Sequence, residues 1–285
     1  MGDLNFKKLY FLGPEGTYAQ KAMNSIVKTL NIRCEEIVPK TPVTAVINAV
    51  DMEKDSAAVL PIENSIEGIV RETIDNLVVM KDNDVRITAE TIVPIHHCLV
   101  SVSRDIKTIK TVISHPQALD QCSGYINQNL QGVNVVSSPS TGEAARIAKA
   151  NGAEYASISS EIAAEKFGLN ILAKNINDVK DNKTRFILLS RYSPKPSGND
   201  KTSLYFSVKN EPGSLCAVLR IFNEHAINML YIESRPSKKL MGEYNFCVDI
   251  EGHQNDENII AALSFIRNNT NVLKITGSYP RFQQS

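Results

Sequence analysis

Residues 8–17 read Lys8-Leu9-Tyr10-Phe11-Leu12-Gly13-Pro14-Glu15-Gly16-Thr17. A short apolar run breaks at Gly-Pro and a second glycine. An amphipathic pattern then begins, with Tyr18, Ala22, Met23, Ile26, Val27 and Leu30 at helical spacing. This reads as a buried strand, a tight turn and a helix folded back on the strand. The unit recurs along the next 170 residues. Thr41-Pro42 opens a helix through Val50. The strand candidate 57–62 precedes a helix bearing Ile66, Ile69, Val70, Thr73, Ile74 and Leu77. Thr111 to Ser114 is a strand that His115-Pro116 turns into a helix, and Val133 to Val136 is another strand. Ser140 with Glu143 forms a capping box for a helix that Gly152 stops. A strand at 155–158, a helix ended by Gly168 and a late strand from Arg185 to Ser190 complete the series. Alternation of this kind predicts an α/β protein with parallel sheets and helices on their faces. A β-like stretch at 85–102 interrupts the rhythm. The expectation is therefore two lobes with a cleft between them, the first about residues 1–80 plus 175–191, the second about 81–174.

Beyond residue 191 the pattern changes. Residues 192–200 have linker composition. From 201 to 285 a strand, a helix, two strands, a helix and a strand follow, the ferredoxin-like βαββαβ order.

Composition narrows the function. The 285 residues carry 31 Lys+Arg and 31 Asp+Glu, and 42% are hydrophobic. A balanced charge argues against nucleic acid as the principal partner, and the apolar content argues against a disordered chain. No apolar run approaches a membrane span and no secretory leader is visible, so a cytoplasmic location is expected. Cys34, Cys98, Cys122, Cys216 and Cys247 are odd in number and without C-x-x-C spacing, which fits reduced thiols rather than disulfides or zinc.

In open α/β sheets ligands sit beyond the carboxyl ends of strands, so the strand-to-helix turns are the candidate site segments. Gly13 to Thr17 lacks the Gly-Lys-[Ser/Thr] ending of a phosphate loop, and reads as a tight turn or an anion-binding helix start. In Pro61-Ile62-Glu63-Asn64-Ser65, Asn64 or Ser65 is placed to cap the following helix, whereas Glu63 has no evident core role. Ser114-His115-Pro116-Gln117-Ala118-Leu119 is a third turn, with Ser114 a natural N-cap. No Gly-x-Ser-x-Gly elbow accompanies it, so serine-hydrolase chemistry is disfavoured. His96-His97 has no third clustered ligand and reads as strand histidine rather than metal site. Asn182-Lys183-Thr184-Arg185-Phe186 enters the last α/β strand, where Arg185 offers a planar fork suited to a carboxylate.

Together and in this order, these segments resemble the motifs of the prephenate dehydratase family, and the likeness spans about residues 8–280. Pro212-Gly213-Ser214-Leu215 and Glu233-Ser234-Arg235-Pro236 resemble the two signature turns of an ACT regulatory domain. The likeness is to the form without a preceding chorismate mutase segment. It implies a two-lobed, periplasmic-binding-protein-like catalytic region joined to a ferredoxin-like ACT domain. It also implies a cofactor- and metal-free lyase that decarboxylates and dehydrates prephenate to phenylpyruvate on the way to phenylalanine. By matching motif positions, Thr184 is expected to donate to the departing hydroxyl, with Glu63 orienting the site or assisting the proton. Thr17, Asn64, Ser65, Ser114, Gln117, Ala118, Arg185 and Phe186 are expected to bind substrate. L-Phenylalanine is the expected inhibitor, meeting Asn210, Gly213, Ser214, Leu215, Glu233, Ser234, Arg235 and Pro236 in a dimer or tetramer joined through ACT domains. The alternatives are an arogenate dehydratase and a two-lobed sensor without catalysis.

Overall fold

The computed structural model describes residues 4–80, 84–236 and 244–282. The opening run forms β1 (Asn5–Leu12), and α1 (Tyr18–Thr29) buries Ala19, Ala22, Met23 and Ile26. Next come β2 (Arg33–Lys40), α2 (Val43–Met52) and β3 (Ser56–Asn64), with β2 and β3 both parallel to β1. A short β4 (Gly68–Ile69) folds back on β3 before α3 (Arg71–Val79), so the helix expected from Ile66 starts five residues later. β5 (Arg86–Pro94) follows.

The second lobe contains β6 (Cys98–Ser101), β7 (Thr111–Ser114), α4 (Pro116–Asp120), α5 (Ser123–Asn129) and β8 (Asn134–Ser137). It continues through α6 (Thr141–Asn151), β9 (Tyr155–Ser159), α7 (Glu161–Phe167) and β10 (Asn170–Ala173). Its sheet runs β10-β6-β9-β7-β8. The N-cap half of the expected box forms, with Ser140 Oγ accepting from the Glu143 amide at 3.0 Å, while the Glu143 carboxylate pairs with Arg146. Gly168 ends α7 with φ +60°, a left-handed turn that costs glycine little.

β11 (Lys183–Ser190) then returns to the first lobe and inserts between β3 and β5, antiparallel to both. The first sheet is therefore β2-β1-β3-β11-β5 with β4 attached to β3. Two expectations change. Residues 86–94 belong to the first lobe rather than the second, because β5 pairs with β11 from Lys183↔Pro94 to Ser190↔Arg86 and buries Ile87, Ala89 and Val93 in the first lobe's cores. Both sheets are also mixed rather than wholly parallel, since β11 runs against its neighbours in the first and β6 against β9 and β10 in the second.

The C-terminal unit is β12 (Asp200–Ser207), α8 (Ser214–Glu224), β13 (Met229–Pro236), β14 (Tyr244–Glu251), α9 (Glu257–Asn269) and β15 (Val272–Pro280). Its antiparallel sheet runs β13-β14-β12-β15. One face carries α8 and α9 over Phe206, Val248 and Ile250. The other face lies against the first lobe, where Cys247 and Tyr279 join a core with Ile74, Leu77 and Ile87. β15 passes so near β5 that a Cβ on Gly277 would stand 2.2 Å from Ile87 O.

Candidate active site

The lobes face each other across a cleft of about 490 Å³. Part of its wall is the start of β11, where Thr184 and Phe186 line the cleft and Arg185 points to the opposite face of the sheet. Thr184 is paired across the strands with Asn64. Asn64 Nδ2 donates to Thr184 Oγ and to Asn182 Oδ1, each at 2.8 Å. Asn64 Oδ1 accepts from the Ile66 and Glu67 amides at 3.0 and 3.1 Å. The turn after β3 thereby fixes which way the amide faces. Since the Thr184 oxygen accepts from Asn64, its own proton is left to donate into the cleft.

The network crosses to the second lobe. Asn182 Nδ2 donates to Gln121 Oε1 at 2.8 Å, and His97 Nε2 lies 3.2 Å from the same oxygen. With the proton on His97 Nε2, both contacts are donor to acceptor, and the Gln121 amide nitrogen is left to the cleft that it lines. The Tyr18 hydroxyl donates to His96 O at 2.7 Å and its ring meets His97 edge-on, centroids 5.6 Å apart. Burial pulls His97 down to about 4, so the imidazole is neutral at physiological pH. Burial also pushes the nearby Cys122 thiol up to about 12, with the Asp178 carboxylate adding to it, so it supplies no thiolate nucleophile.

Among the described residues no lysine or arginine lines this cleft. The positive potential the lining does offer comes from helix starts, which share the cleft with the Glu72 carboxylate. Thr17, Tyr18 and Ala19 bring the N-terminus of α1 from the first lobe, and Ser140 and Thr141 bring that of α6 from the second. Each start presents N–H groups without intrahelical acceptors and roughly half a positive charge. Two anionic groups of one ligand can be held this way, one from each lobe. The lobes also touch directly. Ser160 Oγ donates to Gly16 O at 2.7 Å, and Lys166 pairs with Glu15.

The expected site residues divide. Thr17, Asn64, Gln117, Ala118, Thr184 and Phe186 line the cleft. Four do not. Glu63 and Arg185 form the next cross-strand pair along β3 and β11, so they face the C-terminal domain. Arg185 Nε bonds Glu63 at 2.9 Å, and Nη1 reaches Glu90 at 3.3 Å and Asp249 at 2.8 Å. Direct assistance to the proton by Glu63 and direct binding of substrate by Arg185 do not fit this placement, because neither side chain lines the cleft; an orienting role for Glu63 from behind the strand is compatible with it. Ser65 ties down the entry to β11, its amide donating to Lys183 O at 2.8 Å and its oxygen accepting from Lys183 N at 2.9 Å. Ser114 Oγ is buried and donates to Ile158 O at 2.5 Å. Ser114 is not the cap of α4 either; His115 is, with Nδ1 accepting from the Gln117 amide at 3.3 Å. Tyr18, His97, Gln121 and Asn182 were not singled out from sequence as site residues. Gln121 had a local signal, standing one helical turn beyond Gln117.

In the C-terminal domain Gly213 and Ser214 border a groove of about 510 Å³ beside Lys209 and Arg220, whereas Asn210 and Leu215 do not line it. Glu233, Ser234, Arg235 and Pro236 lie apart on the outer strand β13. There Arg235 pairs with Asp75 of α3 at 2.9 Å, and with Pro236 borders a separate cavity of about 80 Å³. Among the described residues, the groove beside Gly213 and Ser214 and the cavity beside Arg235 and Pro236 have no lining residue in common.

Fold and site define a two-lobed α/β enzyme with a positioned hydroxyl in a cleft that two helix starts face, joined to a ferredoxin-like regulatory module. Residues 9–194 match the family model described as prephenate dehydratase, and residues 202–268 match the ACT domain. A prephenate dehydratase of Methanocaldococcus jannaschii is 38% identical, covering 97% of this chain and 99% of the relative. The crystal structure of the Arthrobacter aurescens prephenate dehydratase in complex with L-Phe superposes with a TM-score of 0.86 at 32% identity, covering 96% of this chain and 90% of that one. GqqA, described as a novel type of quorum quenching acylase, has a TM-score of 0.83 at 27% identity over 96% of this chain and 98% of its own. The chain belongs to the prephenate dehydratase family, lyases acting on prephenate.

Proposed function

We propose that the cleft binds prephenate with one carboxylate at the start of α1 and the other at the start of α6, and that Thr184 serves the departing ring hydroxyl. In the reaction the bond from the ring to its carboxylate breaks and CO2 leaves. The released electron pair enters the ring as the carbon–oxygen bond breaks, and the hydroxyl takes up one proton and departs as water. Aromatisation drives the step, so orientation and one well-placed donor are what the protein supplies. The observation that carries this reading is the Thr184 hydroxyl, oriented by Asn64 with its proton left to the cleft. Phe186 gives the ring an apolar surface, and the neutral His97–Gln121 pair adds a donor.

The regulatory reading extends this. L-Phenylalanine binds the ACT domain beside Gly213 and Ser214, and a second copy of the chain completes the site with its own Glu233–Pro236 segment. The Phe-bound relative of the same architecture supports the ligand, and the outer position of β13, whose ladder is to β14 alone among the described strands, supports a homodimer or tetramer joined at that edge. A cytoplasmic location belongs to the same reading; no described helix is long and apolar enough to cross a membrane.

Purified protein incubated with prephenate is expected to yield phenylpyruvate, read by its absorbance in alkali. Thr184→Ala is expected to abolish that signal without unfolding the protein. No product from the wild type ends the reading. Arogenate assayed alongside separates the aminated substrate from prephenate by kcat/KM. Size-exclusion chromatography with light scattering, with and without L-Phe, tests the assembly.

A further inference from the structure

The strands β3 and β11 carry two successive cross-strand pairs, Asn64–Thr184 facing the cleft and Glu63–Arg185 facing away from it. The second pair is clamped by the C-terminal domain. Arg185 is 8% exposed, and Asp249 of β14 meets its Nη1 at 2.8 Å. Asp249 is itself held by Ser203 Oγ at 2.6 Å, and Ser203 by the Tyr279 hydroxyl at 2.8 Å. A second ion pair crosses the same interface with the opposite polarity, Lys201 of β12 to Glu90 of β5 at 2.8 Å. A buried guanidinium loses its hydration and depends on each of its anionic partners for position. One of those partners belongs to the other domain, and the guanidinium stands on the residue bonded to Thr184.

We propose that Asp249 is a positioning residue for the reaction, acting through Arg185 to hold the Thr184–Asn64 pair in its productive place. The C-terminal domain thereby completes the rear of the catalytic strand. Withdrawal of Asp249 leaves Arg185 with Glu63 and Glu90 of the catalytic sheet as its anionic partners and with only the longer, neutral contact to the Tyr279 hydroxyl at 3.5 Å from the other domain, so β11 shifts toward its own sheet. The inference rests on the proposed role of Thr184, and it concerns kcat rather than substrate binding, because none of the Asp249–Arg185 groups lines the cleft.

Full-length Asp249→Asn is expected to lower kcat for prephenate about 5- to 50-fold with KM within twofold, the size of effect that sub-ångström misplacement of a reacting group produces. Asp249→Glu is expected to recover more than half of the loss. Ser203→Ala keeps the charge but frees it, and is expected to lower kcat about two- to fivefold, again with KM unchanged; this variant decides the matter if Asp249→Asn does not fold. Hydrogen exchange of the peptide over 183–188 gives a readout independent of turnover, and is expected to quicken in both variants. Wild-type kcat in folded variants, or a loss confined to KM, overturns the inference. A wild-type chain that leaves prephenate untouched refutes the functional reading instead, and the positioning claim then stands or falls on the exchange of residues 183–188.

Discussion

His97 makes a prediction that can be worked through. It is 3% exposed, sits between Tyr18 and Gln121, and titrates near 4 rather than 6.5 because burial opposes its charge. At pH 7 it is neutral when folded and mostly neutral when unfolded, so it contributes little to pH dependence there. As the pH falls below 6.5 the unfolded chain takes up a proton that the folded chain refuses. The unfolded state then binds more protons, so stability falls on acidification, beginning near pH 6.5 and ending near 4. Between pH 7 and pH 5 the loss is about 2 kcal/mol. Glu90 shifts the other way: burial raises it, but Lys201 and Arg185 outweigh burial and hold it below the usual carboxylate range. Its stabilisation is present above the unfolded carboxylate value and disappears only in more acidic solution, which leaves the upper window to His97. The assay is a histidine NMR titration of the wild type and His97→Gln, the missing resonance giving the assignment among five histidines. Denaturation midpoints at pH 7, 6 and 5 accompany it, and the variant is expected to show the shallower dependence. A His97 resonance titrating at 6 or above, or equal slopes in the two proteins, refutes the reasoning.

Asn64→Ala removes the donor to Thr184 and the acceptor for the Ile66 and Glu67 amides. It is expected to lower kcat by at least tenfold and stability by about 1–3 kcal/mol, checked by steady-state kinetics and urea denaturation. Gly142→Ala places a Cβ 2.6 Å from Glu15 O, at the contact between α6 and the 13–17 turn. The lobes are expected to be wedged apart, raising KM several-fold with little change in melting temperature. Gly277→Ala drives a Cβ into Ile87 O; a loss of about 1–3 kcal/mol is expected on thermal unfolding, along with weakened response to L-Phe.

The βα rhythm was legible because apolar runs bounded by Gly, Pro and capping residues are local signals. The N-cap at Ser140 and the stop at Gly168 formed where they were read. Membership of β5 was not legible. Its partner β11 is nearly a hundred residues away, and nothing within 86–94 names the sheet it will join. In the site, Thr184 and Asn64 were found on their motifs, but Arg185 and Glu63 were placed in the same cleft. Strand geometry forbids that, since successive side chains alternate faces, and the alternation is already implicit in assigning Arg185 to a strand. His97, Gln121 and Asn182 escaped for a different reason. What joins them is hydrogen bonds between the lobes, at 3.2 and 2.8 Å, and beyond the helical spacing of Gln121 from Gln117 no local pattern encodes those.

The return of β11 also bears on how the chain folds. The strand that carries Thr184 is the one that joins β3 to β5, and it is made after the whole second lobe. A nascent chain ending at residue 182 has β3 and β5 with facing edges unfilled, so the first sheet closes only when its active strand emerges. Maturation of the sheet and assembly of the catalytic pair are thus one event, with the second lobe already able to fold between two neighbouring strands. Chains truncated before residue 183 are left with open β edges, a template for aggregation rather than a partly active enzyme.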